Sequence, residues 1–355
     1  MLSCRQFNFL KSLAMSRRIL VIKMSSLGDL LHTLPAISDA VAAEPGLIVD
    51  WLCEEPFADI ARLHPAVRNV IVSGRVRWKK EGLNGKNIKE RIGLIRKLRS
   101  EHYDLIIDAQ SRIKSARLGL LCRGTLVGPS AHTATDKETR FMYKRSFRVD
   151  ISQGAIESYR QLFAQALGYK HSGLPQFGIT KHQWPEASLS GSNNLIFFHG
   201  TTWESKHWPE SQWIDLLAIA KEAGEEVLLP WSSEAEKARA ERLVESAAWG
   251  TILPRLSLWD LAGVISKCKG AVGLDTGLSH VAGAIGIPVV GIFGSTNSVL
   301  TGVKGALAKN LSAAIECAPC MLKVCPINAT TPPCYETITP ETVYSELEKL
   351  VAVNQ

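Results

Sequence analysis

No stretch of this 355-residue chain is apolar for long enough to cross a bilayer. Runs such as Ile19–Ile22 and Val289–Phe293 are short, whereas a spanning helix needs roughly 18 or more apolar residues. The opening residues, MLSCRQFNFLKSLAMSRR, have no small-residue cleavage site, and Gln6 and Lys11 interrupt their apolar part. They do not read as an export signal. The expectation is a cytoplasmic protein, with either Met15 as the natural start or residues 1–16 as a flexible extension. No G-x-G-x-x-G and no G-x-x-x-x-G-K-[ST] occurs, which disfavours a dinucleotide-dependent Rossmann enzyme and a P-loop NTPase. No D-x-D carboxylate pair is present to hold a metal, and no short repeat or low-complexity segment appears.

What is there is a composition that builds cores. Residues are 46% hydrophobic and 21% charged, which excludes a disordered chain. The length suggests two domains at roughly 150 residues each. Charge is unevenly divided. Residues 1–180 carry 28 Lys and Arg against 16 Asp and Glu, a net of +12; residues 181–355 carry 13 against 18, a net of −5. A uniformly basic nucleic-acid coat is thereby excluded, while an anionic ligand, an anionic membrane surface or RNA suits the first half. The excess peaks between Arg62 and Arg99, where twelve Lys and Arg cluster around Trp78 and only Glu81 and Glu90 offset them locally. A solvated face is the bland reading of such a run; an anionic acceptor or lipid surface is the functional one. Aromatic interleaving is too sparse for an RNA-binding module.

Strand-like and helix-like patterns alternate along the chain. Arg18–Lys23, Leu47–Cys53, Asn69–Ser73 and Tyr103–Asp108 read as strands. Helical patterns cover Leu30–Ala43, Lys86–Ser100, Ser111–Cys122 and Ile156–Leu167. After a Gly, Pro and Ser-rich stretch the alternation restarts at Leu195–His199. Strands follow at Glu226–Pro230, Gly270–Leu274 and Val289–Phe293, and a terminal helix at Glu341–Val351. Such βαβ alternation means parallel sheets. The expected fold is α/β: two Rossmann-like, doubly wound domains facing each other across a cleft. Their expected boundaries are an extension (1–16), a first domain (17–180), a linker (181–193), a second domain (194–335) and a C-terminal helix (336–355).

Ligands of open α/β sheets bind beyond the carboxyl ends of the strands, so the loops there hold the candidate residues. Lys23-Met-Ser25-Ser26-Leu-Gly28-Asp29 follows the first strand and opens a helix. Gly28 lets a ligand approach the backbone. Asp29 can take a proton from a hydroxyl nucleophile or simply cap the helix. His199-Gly-Thr201-Thr202-Trp-Glu-Ser-Lys206 offers two hydroxyls and a cation suited to phosphate, or else a polar βα loop. Asp275-Thr276-Gly277-Leu-Ser-His280 joins a strand to a helix whose N-terminus favours pyrophosphate; Thr276 as a cap is the alternative. Glu236 can accept from ribose hydroxyls or sit in an ordinary acidic first turn. Cys317-x2-Cys320-x4-Cys325-x8-Cys334 contains one CxxC where a zinc ribbon has two. Those four thiols are candidates for a structural zinc or a disulfide cluster, and otherwise stay free.

The motifs together resemble the bacterial ADP-heptose:lipopolysaccharide heptosyltransferases of glycosyltransferase family 9. The resemblance is carried by KMSSLGDLLHTLPAISDA (Lys23–Ala40), IDAQSRIKSA (Ile107–Ala116), FHGTTWESKHWPE (Phe198–Glu210), LPW (Leu229–Trp231) and DTGLSH (Asp275–His280). It runs from about Arg18 to the terminal helix and is nearest to the members that add the first heptose. It implies a GT-B fold and transfer of L-glycero-D-manno-heptose from ADP-heptose to the inner Kdo of Kdo2-lipid A, with inversion and no cofactor. It implies Asp29 as catalytic base, with Ser25, Ser26 and Gly28 in the same turn and Lys23 as an acceptor-side or phosphate contact. Thr201, Thr202 and Lys206 become pyrophosphate ligands and Glu236 a ribose contact. Leu256 becomes an adenine contact, Asp275 a heptose contact, and Thr276, Gly277 and His280 the phosphate lining. A monomer in peripheral contact with the inner leaflet, binding no nucleic acid, is the expected form. Transfer to a later core heptose or a protein, and a nonenzymatic sugar-nucleotide binder, are the competing readings.

Overall fold

The computed structural model describes residues 16–82, 84–179, 194–328 and 331–354. The expected linker (181–193) lies outside the described residues, as does the expected extension apart from Ser16. Two compact units form. The first contains the chain up to Ser25, Pro35–Val149 and Tyr159–Gln176; the second contains Ser26–Leu34, Asp150–Ser158 and the chain from Phe177 onward. The helix Leu27–Ala43 therefore begins in the second unit and continues into the first at Pro35, a proline inside the helix.

The first unit holds six strands: β1 (Arg18–Ile22), β2 (Ile48–Glu54), β3 (Val67–Ser73), β4 (His102–Asp108), β5 (Arg123–Pro129) and β6 (Arg145–Phe147). Their order is β3-β2-β1-β4-β5-β6 and every pairing is parallel. Ile19, Leu20, Val21 and Ile22 are fully buried. A strand covered on both faces reads as a continuous apolar run, which is why β1 was visible in the sequence. β5 was not, because RGTLVGP carries two glycines and a proline. The fold requires both glycines: a Cβ on Gly124 would stand 2.2 Å from the Tyr103 carbonyl oxygen, and one on Gly128 would stand 2.5 Å from the Tyr143 ring.

The second unit repeats the plan with β7 (Leu195–Phe198), β8 (Val227–Leu229), β9 (Thr251–Ile252), β10 (Gly270–Leu274), β11 (Val289–Phe293) and β12 (Ala308–Ser312). The order β12-β11-β10-β7-β8-β9, all parallel, is the same when counted from each unit's first strand. Phe197, Trp208, Trp213, Leu216 and Leu217 pack with Val343, Leu347 and Val351 of the terminal helix Pro340–Asn354. In each sheet the strand order reverses at one place, between β1 and β4 and between β7 and β10. Ligands of doubly wound folds bind outside the strand ends at such points, and three of the candidate loops follow β1, β7 and β10.

The basic stretch forms two helices, Arg75–Glu81 and Gly85–Ser100, where one was expected. Gly82 and Asn84, an N-cap whose side chain accepts from the Asn87 N–H, separate them. The fold also neutralises more of this stretch than the sequence suggests. Between Arg62 and Arg99 the sequence offers Glu81 and Glu90 as the only counter-charges, yet the fold brings five more acids to the cluster. Arg62 pairs with Asp59, Arg68 with Asp50 and Glu101, Arg75 with Glu54, and Arg77 with Glu55 as well as with Glu81 and Glu90. Lys79, Lys80, Lys86, Lys89, Arg96, Lys97 and Arg99 are exposed. Among the described residues no helix is long and apolar enough to cross a membrane.

Candidate active site

In the second unit the candidates gather around the carboxyl ends of β7 and β10. Asp275 follows β10 directly, and the helix Gly277–Ile285 starts two residues later. Thr276 takes the N-cap position but makes no side-chain capping bond, so its reading as a cap fails. The N–H groups of that first turn stand at the positive end of the helix dipole, where an anion is favoured. Lys206 reaches the same place from the loop after β7. Its Nζ lies 2.7 Å from Asp275 Oδ2 and 4.6 Å from the centre of the Trp203 ring. Thr201 Oγ1 donates to the Asp275 carbonyl at 3.4 Å, and Thr202 is exposed beside it.

Burial alone would raise the pKa of Asp275. His280 and Lys206 outweigh that effect and hold its carboxyl down at about 2. Asp275 is therefore an anion at neutral pH, and its paired charge stabilises the fold at every pH above the ordinary carboxylate range. That contribution is lost only as pH falls through about 2. His280 continues the contact: its Nε2 stands 3.8 Å from Asp275 Oδ1, and its Nδ1 stands 3.2 Å from Nε2 of the buried His32. Asp275, His280 and His32 thus form a line leading back to the start of the helix Leu27–Ala43.

Two glycines allow that approach. A Cβ on Gly277 would meet Leu27 Cδ2 at 2.6 Å, and one on Gly28 would meet His280 Cδ2 at 3.1 Å. Asp29 is the third residue of its helix and is half-buried. Its Oδ2 accepts from the N–H of Ser26 at 3.0 Å and from its hydroxyl at 2.9 Å. The capping role weighed from the sequence is real, and it orients the carboxylate.

Glu236 also caps. With Ser233 it closes a capping box at the start of the helix Glu234–Ala247, and Oε2 accepts from Ser232 N–H at 2.7 Å. Its other oxygen packs against Gly200, where a Cβ would stand 2.7 Å from Oε1. Leu256 is half-buried just ahead of Ser257, the N-cap of the helix Leu258–Lys267. Lys23 and Ser25 belong to the first unit. Lys23 is buried, and its Nζ donates to the Tyr159 hydroxyl at 2.6 Å and the Ala109 carbonyl at 3.3 Å. Gln110 Oε1 accepts from Met24 N–H at 2.9 Å and Ser25 N–H at 3.1 Å. Gln110, Tyr159 and His32 were not singled out from the sequence. Gln110 sits after β4, so its position at the order reversal was the signal that could have found it.

The four cysteines lie between β12 and the terminal helix and form no disulfide. Among the described residues no three His, Cys, Asp or Glu side chains are gathered as a metal centre. All four thiols nevertheless line one cavity of about 140 Å³. Burial, and the neighbouring thiols of Cys317, Cys325 and Cys320, push the Cys334 thiol up to about 11.

Comparison with known proteins agrees with this geometry. The profile of glycosyltransferase family 9 (heptosyltransferase) matches residues 91–330. Lipopolysaccharide heptosyltransferase 1 of Pseudomonas aeruginosa is 39% identical over 94% of this chain and 98% of its own. The Escherichia coli heptosyltransferase WaaC with ADP superposes with a TM-score of 0.82 at 34% identity, over 94% of this chain and 99% of that one. The same enzyme with ADP-2-deoxy-2-fluoro heptose gives a TM-score of 0.78 at 33% identity, with the same coverage of both chains. The chain belongs to glycosyltransferase family 9, the heptosyltransferase family, and is a glycosyltransferase of the GT-B fold class.

Proposed function

We propose that the protein transfers L-glycero-D-manno-heptose from ADP-heptose to the inner Kdo of Kdo2-lipid A, inverting the anomeric centre. The observation that carries the reading is the Lys206–Asp275 pair beside the uncapped start of the helix Gly277–Ile285. It provides a cation, hydroxyl donors and a helix dipole for a pyrophosphate, and an ionised carboxylate for sugar hydroxyls. The relatives support the donor: they are named heptosyltransferases, and the WaaC structures hold ADP and a fluorinated ADP-heptose.

In this mechanism Asp29 takes the proton from the Kdo 5-hydroxyl as that oxygen attacks the anomeric carbon. The bond to ADP breaks on the opposite face. Lys206, Thr201, Thr202 and the helix N-terminus meet the charge that grows on the leaving pyrophosphate. Thr276, Gly277 and His280 line those phosphates, while Glu236 and Leu256 contact the ribose and adenine. Lys23, Ser25, Ser26 and Gly28 shape the acceptor-side turn. The reaction needs no cofactor in this scheme, and the protein acts as a monomer in the cytoplasm. Incubation with ADP-heptose and purified Kdo2-lipid A should add one heptose mass to the lipid. A lipid left unchanged, with a heptosylated core accepted instead, would move the protein to a later transfer step. A mutant lacking the gene should lose the whole core beyond Kdo on a lipopolysaccharide gel.

The same reading places the first unit at the anionic inner leaflet. On the helix Gly85–Ser100, Ile88, Ile92 and Ile95 are 46%, 44% and 36% exposed at i, i+4 and i+7, with Lys86, Lys89, Arg96 and Lys97 exposed on the same helix. An apolar stripe flanked by cations suits a lipid interface. Arg75 and Arg77 already pair with acids, so the free attraction belongs to the lysines. Each cation near such a surface contributes about 1 kcal/mol, so reversing Lys79, Lys80, Lys86 and Lys89 to Glu should weaken co-sedimentation with phosphatidylglycerol vesicles at least tenfold. Unchanged co-sedimentation would remove this surface as the membrane contact.

A further inference from the structure

The helix Leu27–Ala43 buries its first turns, and one residue there is out of character. Leu30, Leu31 and Leu34 are fully buried, as the core face of a helix requires. His32 lies among them, 6% exposed, and carries a polar ring into the same surroundings. Packing alone would favour another aliphatic side chain, because a buried polar group destabilises unless it is paired. His32 is paired. Its Nε2 lies 3.2 Å from Nδ1 of His280, and the two rings meet edge to face, with centroids 4.5 Å apart and planes inclined at 82°. His280 is equally buried, in the helix Gly277–Ile285.

We propose that His32 is a positioning residue for the transfer reaction: its ring holds His280 in one orientation, with Nε2 turned to Asp275, and thereby ties the helix that bears Asp29 to the donor loop after β10. That role rests on the donor site proposed above. Three contacts define the His280 ring. Gly28 lies bare against Cδ2, where a Cβ would stand at 3.1 Å. Asp275 Oδ1 stands 3.8 Å from Nε2. His32 takes Nδ1. A carboxylate can only accept, so the ring nitrogen facing it is the protonated one. A half-turn of the ring about Cβ–Cγ would put Cδ2 in the place of Nδ1 and Cε1 in the place of Nε2. Both polar contacts would then be lost, and the bond to His32 opposes that turn.

The same bond joins two helix starts. His32 follows Asp29 by three residues, so the two side chains are neighbours on the helix surface. Thr33 Oγ1 donates to the Asp29 carbonyl at 2.8 Å in the same turn. Leu27 packs on Gly277, where a Cβ would meet Leu27 Cδ2 at 2.6 Å. An apolar contact of that kind brings the helices close but has no direction, whereas a hydrogen bond weakens steeply when its angle is lost. His32 therefore supplies direction to a contact that Leu27 and Gly28 make close. It touches none of the reacting atoms.

Two readouts test this role. Spectra of protein labelled with 15N at histidine should show one ring proton protected from exchange with water, and that signal should vanish in His32→Leu and in His280→Ala. Its absence from the parent protein would overturn the contact. The affinity for ADP, measured by calorimetry, reads the positioning. His32→Leu should weaken ADP binding about tenfold, within the range for residues in contact. His32→Phe keeps a ring without its nitrogens and should match it, which guards against a Leu variant that does not fold. His32→Gln places an amide nitrogen near the position of Nε2 and should bind within about threefold of the parent. Adding His32→Leu to His280→Ala should weaken ADP no further, because the residue through which His32 acts is gone. Equal losses in the Leu and Gln variants, or additive losses in the double variant, would overturn the positioning role. Failure of the donor-site reading gives a different pattern: His280→Ala alone would leave ADP affinity unchanged, and the positioning role would fall with it while the protected ring proton remained.

Discussion

Asp29→Asn keeps the protein folded and able to bind ADP-heptose, but its transfer to Kdo2-lipid A falls by about 10²–10⁴-fold, the usual contribution of a positioned general base. Asn is the informative replacement because the proposed base also has a capping role. Its Oδ2 holds the N–H and hydroxyl of Ser26, and the amide oxygen of Asn can still accept from that N–H. The base is lost while the cap survives. Asp29→Ala removes both and should cost about 1 kcal/mol of stability besides, a melting shift of roughly 2–4 °C. Transfer rates by mass spectrometry, ADP binding by calorimetry and melting curves separate these effects. If the Asp29→Asn variant retained transfer within about tenfold of the parent, Asp29 would be a cap only, and the proton would leave by another route.

Much of the fold was legible because both sheets have buried centres. β1, β10 and β11 are short apolar runs, as is the centre of β4 (Leu105–Ile107), and a strand stretch covered on both faces has no polar alternation to obscure it. The edges were not legible. β12 (Ala308–Ser312) contains Lys309, Asn310 and Ser312, and β9 is only two residues long; nothing local distinguishes such pieces from loop. The pairing of Arg68 with Asp50 and of Arg75 with Glu54 was hidden for another reason. These partners lie 18 and 21 positions apart in sequence and meet only because β2 and β3 are neighbours. The site was half legible. Asp29, Lys206 and Asp275 lie where strand-to-helix junctions put them, and the junctions are readable. His32 and Tyr159 lie inside helices, and their contacts with His280 and Lys23 depend on how helices pack. Glu236 shows the converse: its acidic first turn looks ordinary and is a true capping box, yet Gly200 is bare so that this carboxylate can approach β7.

Lys206→Ala should lower kcat/KM for ADP-heptose by about 10²–10³-fold, the cost of removing one donor aimed at developing charge in a water-poor site. Two effects combine in it. The leaving pyrophosphate loses its cation, and Asp275 loses the partner 2.7 Å from Oδ2. The second effect gives a signature that the first does not. Asp275 is held at about 2 against burial, which pushes the other way, and Lys206 is one of the groups that hold it there. Without that cation the carboxyl titrates at higher pH, since removing a positive neighbour favours the protonated acid. The acid limb of the kcat/KM profile should therefore move upward in Lys206→Ala, and Lys206→Arg should return much of the limb by restoring the charge. Loss of activity with an unmoved acid limb would mean that Lys206 serves the pyrophosphate alone. Full activity in the Ala variant would remove this pair from the donor site.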